Sequence, residues 1–223
     1  MRRGEVFDRL AELTRRQLGL VTRAQAGRVG VPDRELLRYL CARDLERVAH
    51  GVYRFRRDLD DLHQPLWAAW LQLDPARTAA ERVAGPGVPD AVVSHESAAD
   101  IYWIGNLYAD IHTFTVSEPR TSGRRDVRLV AAPLQPDEWE VVDGLPLTRP
   151  QRIVADLLTD GRDGGHVASV ALHALRQGQV TEAELVAALA PFSEGFGLPP
   201  DDGADLLYVL RATEAAEFQT PGS

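Results

Sequence analysis

Lysine is absent from this chain: all twenty-five of its Lys and Arg positions hold arginine. The absence removes three catalytic devices at once. These are the phosphate-loop lysine of nucleotide hydrolases, the strand lysine of ordinary protein kinases and any lysine Schiff base. No glycine-rich phosphate loop is present either. Cysteine is almost missing. Cys41 stands alone, so no disulfide can form within the chain and a reducing compartment suits it. It also leaves no second cysteine for a zinc site, and His63, His95, His112, His166 and His173 follow no metal-ligand spacing. Long apolar runs are lacking: none approaches the roughly 20 residues needed to span a bilayer. The opening MRRGEVFDRLAEL has no signal-peptide apolar core. The expectation is a cytoplasmic protein with no metal, no cofactor and no membrane partner.

The charge that is present is unevenly placed. Residues 1–57 hold fourteen Arg against seven acids, a formal +7, and the remainder holds eleven Arg against twenty-six acids, or −15. Screening confines the field of a surface patch to about 8–10 Å, so the acidic total does not cancel a basic end. Two domains are expected, 1–57 and 62–223, with the linker at the sign change Arg57-Asp58.

The basic domain reads as helix, turn, helix and hairpin. Val6, Phe7, Leu10 and Leu13 recur at helical spacing and predict a helix over Glu5–Gln17. Thr22-x-x-Gln25 is a capping box that opens a second helix, Arg23 to Arg28. In the turn Val29-Gly30-Val31-Pro32, the glycine can take a positive φ and the proline suits a helix's first turn. A third helix is expected from Asp33 to Arg43. Leu36, Leu37, Leu40 and Cys41 form its inward stripe, and Arg34 and Arg38 lie on the opposite side beside Glu35 and Tyr39. Cys41 is then a buried small hydrophobe. Leu45–Ala49 and Val52–Phe55 alternate about a His50-Gly51 turn, as a hairpin does, with Tyr53 and Phe55 facing the core.

That order is the order of a winged helix-turn-helix, whose second motif helix enters the major groove. The candidate DNA-contact residues are Thr22, Arg23, Arg28, Arg34, Arg38, Arg43, Arg47, His50 and Arg54. The plain alternative is that these arginines only solvate an amphipathic helix, and that His50 is an ordinary exposed turn residue.

The acidic remainder predicts an α+β domain, mixed α/β at first and helical in its C-terminal half. Helices are expected over Gln64–Leu73, from Ala76 to about Ala84, and from a Ser94 cap to near Gly105. Ile111 to Val116 and Asp126 to Ala132 alternate as strands, and Trp139–Val142 with Leu145–Leu147 suggests a hairpin. Thr148-x-x-Gln151 reads as a capping box for the next helix. Three more helices follow at about 165–176, 182–191 and 202–217, with Thr181-x-x-Glu184 capping the middle one. Ser94-His95-Glu96 does not build a triad, because neighbours at a helix start point in different directions; capping by Ser94, with a packing or surface role for His95, is the reading adopted. Arg120, Arg124 and Arg125 form a candidate contact for a phosphate or an acidic partner, against the alternative of a solvated loop. No catalytic constellation is visible.

The segment from Leu20 to Phe55, LVTRAQAGRVGVPDRELLRYLCARDLERVAHGVYRF, resembles the N-terminal winged-helix domain of AbiEi-type antitoxins. The later blocks WLQLDP, VVSHESAADIYWIG and GLPLTRPQRIVADLL are similar to that family's C-terminal antitoxin region. The resemblance implies a regulator that binds operator DNA upstream of its own operon, represses it, and counteracts a co-encoded nucleotidyltransferase toxin. By analogy the contact positions fall on Arg34, Arg38, Arg47 and Arg54. Two alternatives stay open: a C-terminal domain that modifies the toxin as an atypical kinase, and a ligand-responsive repressor without a toxin.

Overall fold

A computed structural model describes residues 3–15, 17–56, 61–105 and 109–219. The chain divides into two compact units. One runs to Ala91 and includes Val141–Pro146; the other holds Val92–Glu140 and the described residues from Leu147 onward. The expected linker at Arg57-Asp58 lies outside the described residues. Among those described, no helix is long and apolar enough to cross a membrane.

The first unit contains α1 (Arg3–Thr14), β1 (Leu20–Thr22), α2 (Arg23–Arg28), α3 (Asp33–Cys41), β2 (Leu45–Ala49), β3 (Val52–Phe55), α4 (Gln64–Leu73) and α5 (Ala79–Val83). Strands β1 to β3 form an antiparallel sheet in the order β1-β3-β2. The capping box of α2 is formed as its sequence predicts: Thr22 Oγ1 accepts from the Gln25 N–H, and the Gln25 side chain accepts from the Thr22 N–H. Gly30 and Gly51 take φ of +79° and +69° at the two tight turns, where a side chain would be strained. β1 has no counterpart in the sequence reading, because three residues are too few to show alternation.

Leu10, Val21, Ala26, Val31, Leu36, Tyr39, Leu45, Tyr53 and Phe55 make one buried cluster, so every element from α1 to β3 contributes to it. Phe7 and Phe55 rings sit 4.7 Å apart. On α3 the inward residues are Leu36, Tyr39 and the half-buried Leu40. This corrects the expected stripe. Leu37 is 56% exposed and Cys41 is also exposed, while Tyr39 is 3% exposed. At about 100° per residue, positions 36, 39 and 40 share one arc and positions 34, 37, 38 and 41 share the opposite one. The large tyrosine ring, rather than a second leucine, fills the space under the helix. α3 stops at Cys41, short of the expected Arg43, because Arg43 is left-handed (φ +61°). The Arg43 N–H then reaches Leu40 O and the Asp44 N–H reaches Tyr39 O, which together close the helix end in the manner of a Schellman motif.

The first unit does not end with the hairpin. α4 packs on the three-stranded sheet, and the segment leading into α5 is held by the side chains of Gln17 and Gln25. Gln17 and Gln25, both 1% exposed, hydrogen-bond each other; Gln17 Oε1 accepts from the Ala79 N–H and Gln25 Nε2 donates to Arg77 O. α5 carries its own capping box, Thr78 with Glu81.

The remaining elements begin with β4 (Val92–Val93), α6 (His95–Tyr102), β5 (His112–Val116), β6 (Val127–Ala131), β7 (Trp139–Val142) and β8 (Leu145–Thr148). α7 (Pro150–Thr159), α8 (Gly164–Arg176), α9 (Glu182–Leu189), a 3₁₀ turn (Ala190–Phe196) and α10 (Gly203–Gln219) follow. The sheet order is β6-β5-β4-β8-β7, with β5–β6 and β4–β8 parallel and β4–β5 antiparallel. The α+β class, with helices gathered at the C-terminal end, is as expected. Two predicted caps are corrected. Thr148 is fully buried at the end of β8, Arg149 is the N-cap of α7 and makes no side-chain cap, and Pro150 takes the first helical turn. Ser94 occupies the N-cap of α6 but makes no cap bond; its hydroxyl meets His95 Nδ1 at 2.9 Å.

Candidate nucleic-acid interface

The outward arc of α3 is an open cationic feature of the first unit. Arg34 is exposed, and among the described residues its guanidinium has no hydrogen-bond or ion-pair partner. Arg38 is also exposed and, among the described residues, meets only Glu35 at 3.3 Å, one turn back. Exposed pairs of this kind contribute little and exchange readily. Leu37 is exposed at the edge of the same arc, beside Arg34. Arg43 follows the end of the helix with its guanidinium likewise unpartnered among the described residues. On β2, Arg47 is exposed and lies 5.9 Å from the Tyr53 ring centroid, a cation–π contact that leaves its donors in water. His50 is exposed at the hairpin tip, and its backbone carbonyl accepts from Gln72 Nε2 at 2.7 Å. A cleft of about 490 Å³ opens beside this tip and is lined by Arg23 and Asp33, among others.

The other expected contact residues are engaged inside the unit. Arg54 is the clearest correction. All four residues of β3 are buried, because the helices cover one face of this central strand and α4 packs on the sheet. Tyr53 and Phe55 enter the helical core; Arg54 points the other way, 7% exposed, and its Nε donates to Glu46 Oε1 at 2.8 Å and its Nη1 to Gln64 Oε1 at 2.9 Å. Arg54 is therefore half of a cross-strand ion pair. Thr22 is 1% exposed and its hydroxyl donates to Pro75 O. Arg28 makes a two-pronged pair with Glu81, 2.7 and 2.6 Å, and also donates to Ala76 O. That pair, with the Thr78 N–H, holds the Glu81 carboxyl at about 2. Arg23 pairs with Asp33 at the start of α3 while remaining largely exposed; the hydrogen bond raises Arg23 and lowers Asp33. These two arginines hold α2 against its neighbours rather than standing free.

In the second unit, Arg120, Arg124 and Arg125 do not gather into one anion site. Arg124 folds back on Asp126 at 2.9 Å and holds that carboxyl at about 2, while Arg120 and Arg125 are exposed. A buried polar cluster lies instead around His95, whose Nδ1 is 3.9 Å from Asp156 and whose Nε2 is 3.6 Å from Asp160. Arg128 binds Asp160 and Arg152 binds both Asp156 and Glu138. Burial lowers the affinity of His95 for a proton and raises that of Asp156. Ser94 is fully buried and His95 is 2% exposed, so neither is open to a substrate. The cluster ties α6, β6 and α7 together. Sequence alone suggests a packing or surface role for His95 without naming these partners. It is equally silent on the bonds from residues 75–81 to α2, although Thr78-x-x-Glu81 carries the signal of a capping box.

The geometry thus defines a small basic domain of helices and a three-stranded sheet that presents an arginine-bearing helix and a glycine-turned hairpin. Residues 8–56 match the family described as transcriptional regulator, AbiEi antitoxin. The matched span covers most of α1 and runs to the end of β3, stopping before α4. A comparison with curated proteins gave no match.

Proposed function

We propose that the first unit is a winged helix-turn-helix in which α3 enters the major groove and the β2–β3 hairpin serves as the wing, and that the chain is an autorepressing antitoxin. The observation that carries this reading is the outward arc of α3, where Arg34 and Arg38 are presented on an exposed face of a basic domain. A second motif helix docks with its N-terminal half toward base edges; Arg34 lies in that half and Arg38 one turn further on. Arg43, Arg47 and His50 sit after the helix and on the hairpin, and supply backbone contacts in this reading. The operator lies upstream of the protein's own operon, and the second unit counteracts a co-encoded nucleotidyltransferase in the cytoplasm.

The test is binding to duplex DNA from upstream of the coding sequence. Arg34→Ala with Arg38→Ala lowers affinity by about 1–3 kcal/mol for each base that is no longer bound. Binding by the double variant equal to that of the parent overturns the recognition helix. Coexpression with the adjacent nucleotidyltransferase tests the second activity, and toxicity unrelieved by the full chain refutes it.

A further inference from the structure

An exposed leucine by itself needs no explanation, but Leu37 is not placed at random. It is 56% exposed in a nine-residue helix, in the arc that also holds Arg34, Arg38 and Cys41. Arg34 precedes it by three positions, about 60° around the helix, and Arg38 follows it directly, so the apolar side chain flanks the two cations at the edge of the exposed arc. The core does not need it there, since Leu36, Tyr39 and Leu40 already close the inner face.

We propose that Leu37 is a specificity-determining residue that reads the C5-methyl group of a thymine in the major groove, beside bases bound by Arg34 and Arg38. The assignment rests on the DNA-binding reading and deepens it. Thymine is the only unmodified base with a methyl group in that groove, and an apolar side chain recognises it by removing both surfaces from water. Arginine prefers the O6 and N7 acceptors of guanine, and leucine has no donor for them. The arc Arg34, Leu37, Arg38 therefore selects a site in which guanine and thymine are near neighbours. A leucine against a phosphate gains nothing, so the chemistry points to a base edge rather than to the backbone.

The experiment uses the full chain and a duplex selected with it from a random-sequence library. Each thymine of that duplex is replaced in turn by uracil, which removes the methyl group and leaves the base pairing and groove acceptors intact. The parent is expected to bind about fourfold more weakly when uracil stands at the position facing Leu37, the factor corresponding to one buried methyl group. Leu37→Ala and Leu37→Gln are expected to bind the thymine and uracil duplexes equally while retaining the parent's salt dependence. Because Leu37 is largely exposed, both variants keep the parent's melting temperature. A flat uracil scan with the parent, or undiminished thymine preference in Leu37→Ala, overturns the assignment. Failure of the parent to enrich any duplex refutes the DNA-binding reading itself, which separates the two outcomes.

Discussion

Arg54 separates a structural role from a DNA-binding one more sharply than any other residue in the basic domain. Its side chain is 8% exposed and that of Glu46 is 32% exposed, and the guanidinium also donates to Gln64 at the start of α4. Arg54→Ala strips the carboxylate of its partner, leaves the Gln64 carbonyl without this donor and opens space between the sheet and α4. Breaking a buried pair from one side costs about 3–5 kcal/mol. The lower end applies, because Glu46 can recover part of its hydration. A loss of about 3 kcal/mol is a large share of a typical stability of about 5–15 kcal/mol. For a protein of this size it lowers Tm by roughly 6–12 °C. Circular dichroism melting measures it, with Arg34→Ala as the matched control; that exposed substitution moves stability by less than about 0.5 kcal/mol. Arg54→Met with Glu46→Leu removes both charges, keeps the volume and restores most of the loss. An Arg54→Ala protein that melts with the parent but binds DNA more weakly would falsify the inward placement and return Arg54 to the DNA face.

Further outcomes follow from the same geometry. Thr22→Ala removes the α2 cap and the bond to Pro75, and lowers stability by about 1–2 kcal/mol in urea denaturation; an unchanged midpoint contradicts the capping box. The Glu81 carboxyl is held at about 2 against an ordinary 4.5, so its contribution is complete above pH 4.5 and is lost as pH falls toward 2. Glu81→Gln should flatten the acid limb of the stability–pH profile, and an identical limb in both proteins refutes the Arg28–Glu81 pair. Cys41 is exposed on the outward arc, so a thiol reagent labels the native chain without denaturant, and duplex DNA slows the labelling. A thiol that reacts only after unfolding returns Cys41 to the core.

The elements of the basic domain are legible because each carries a local signal. Thr22 and Gln25 mark the start of α2, Gly30-Val31-Pro32 marks the turn, and alternation about Gly51 marks the hairpin, whose strand limits agree with the structure. Which side of α3 faces inward is not legible. Leu37 and Tyr39 compete for the interior on either flank of the helix, and only the space beneath it decides for the tyrosine. Arg54 is misplaced by the sequence for a related reason. Alternation assigns Tyr53 and Phe55 to one face, but α4, starting ten residues further on, turns the other face from surface into interior. At Thr148 the pattern of a capping box is present, yet Pro150 and a strand that continues through Thr148 move the helix start. The partners of His95 come from α7 and its C-terminal end, and no spacing along the chain announces them.

The most direct test of α3 as a recognition helix is the salt dependence of binding to upstream DNA by the parent and by Arg34→Ala/Arg38→Ala. Each phosphate bound contributes a slope of about −0.9 in log affinity against log salt, whereas removing an interaction with a base lowers affinity at every salt concentration. A steep parental slope is expected, and for the double variant a parallel or shallower line displaced to weaker binding. A parent whose binding does not respond to salt, or two coincident lines, would contradict it.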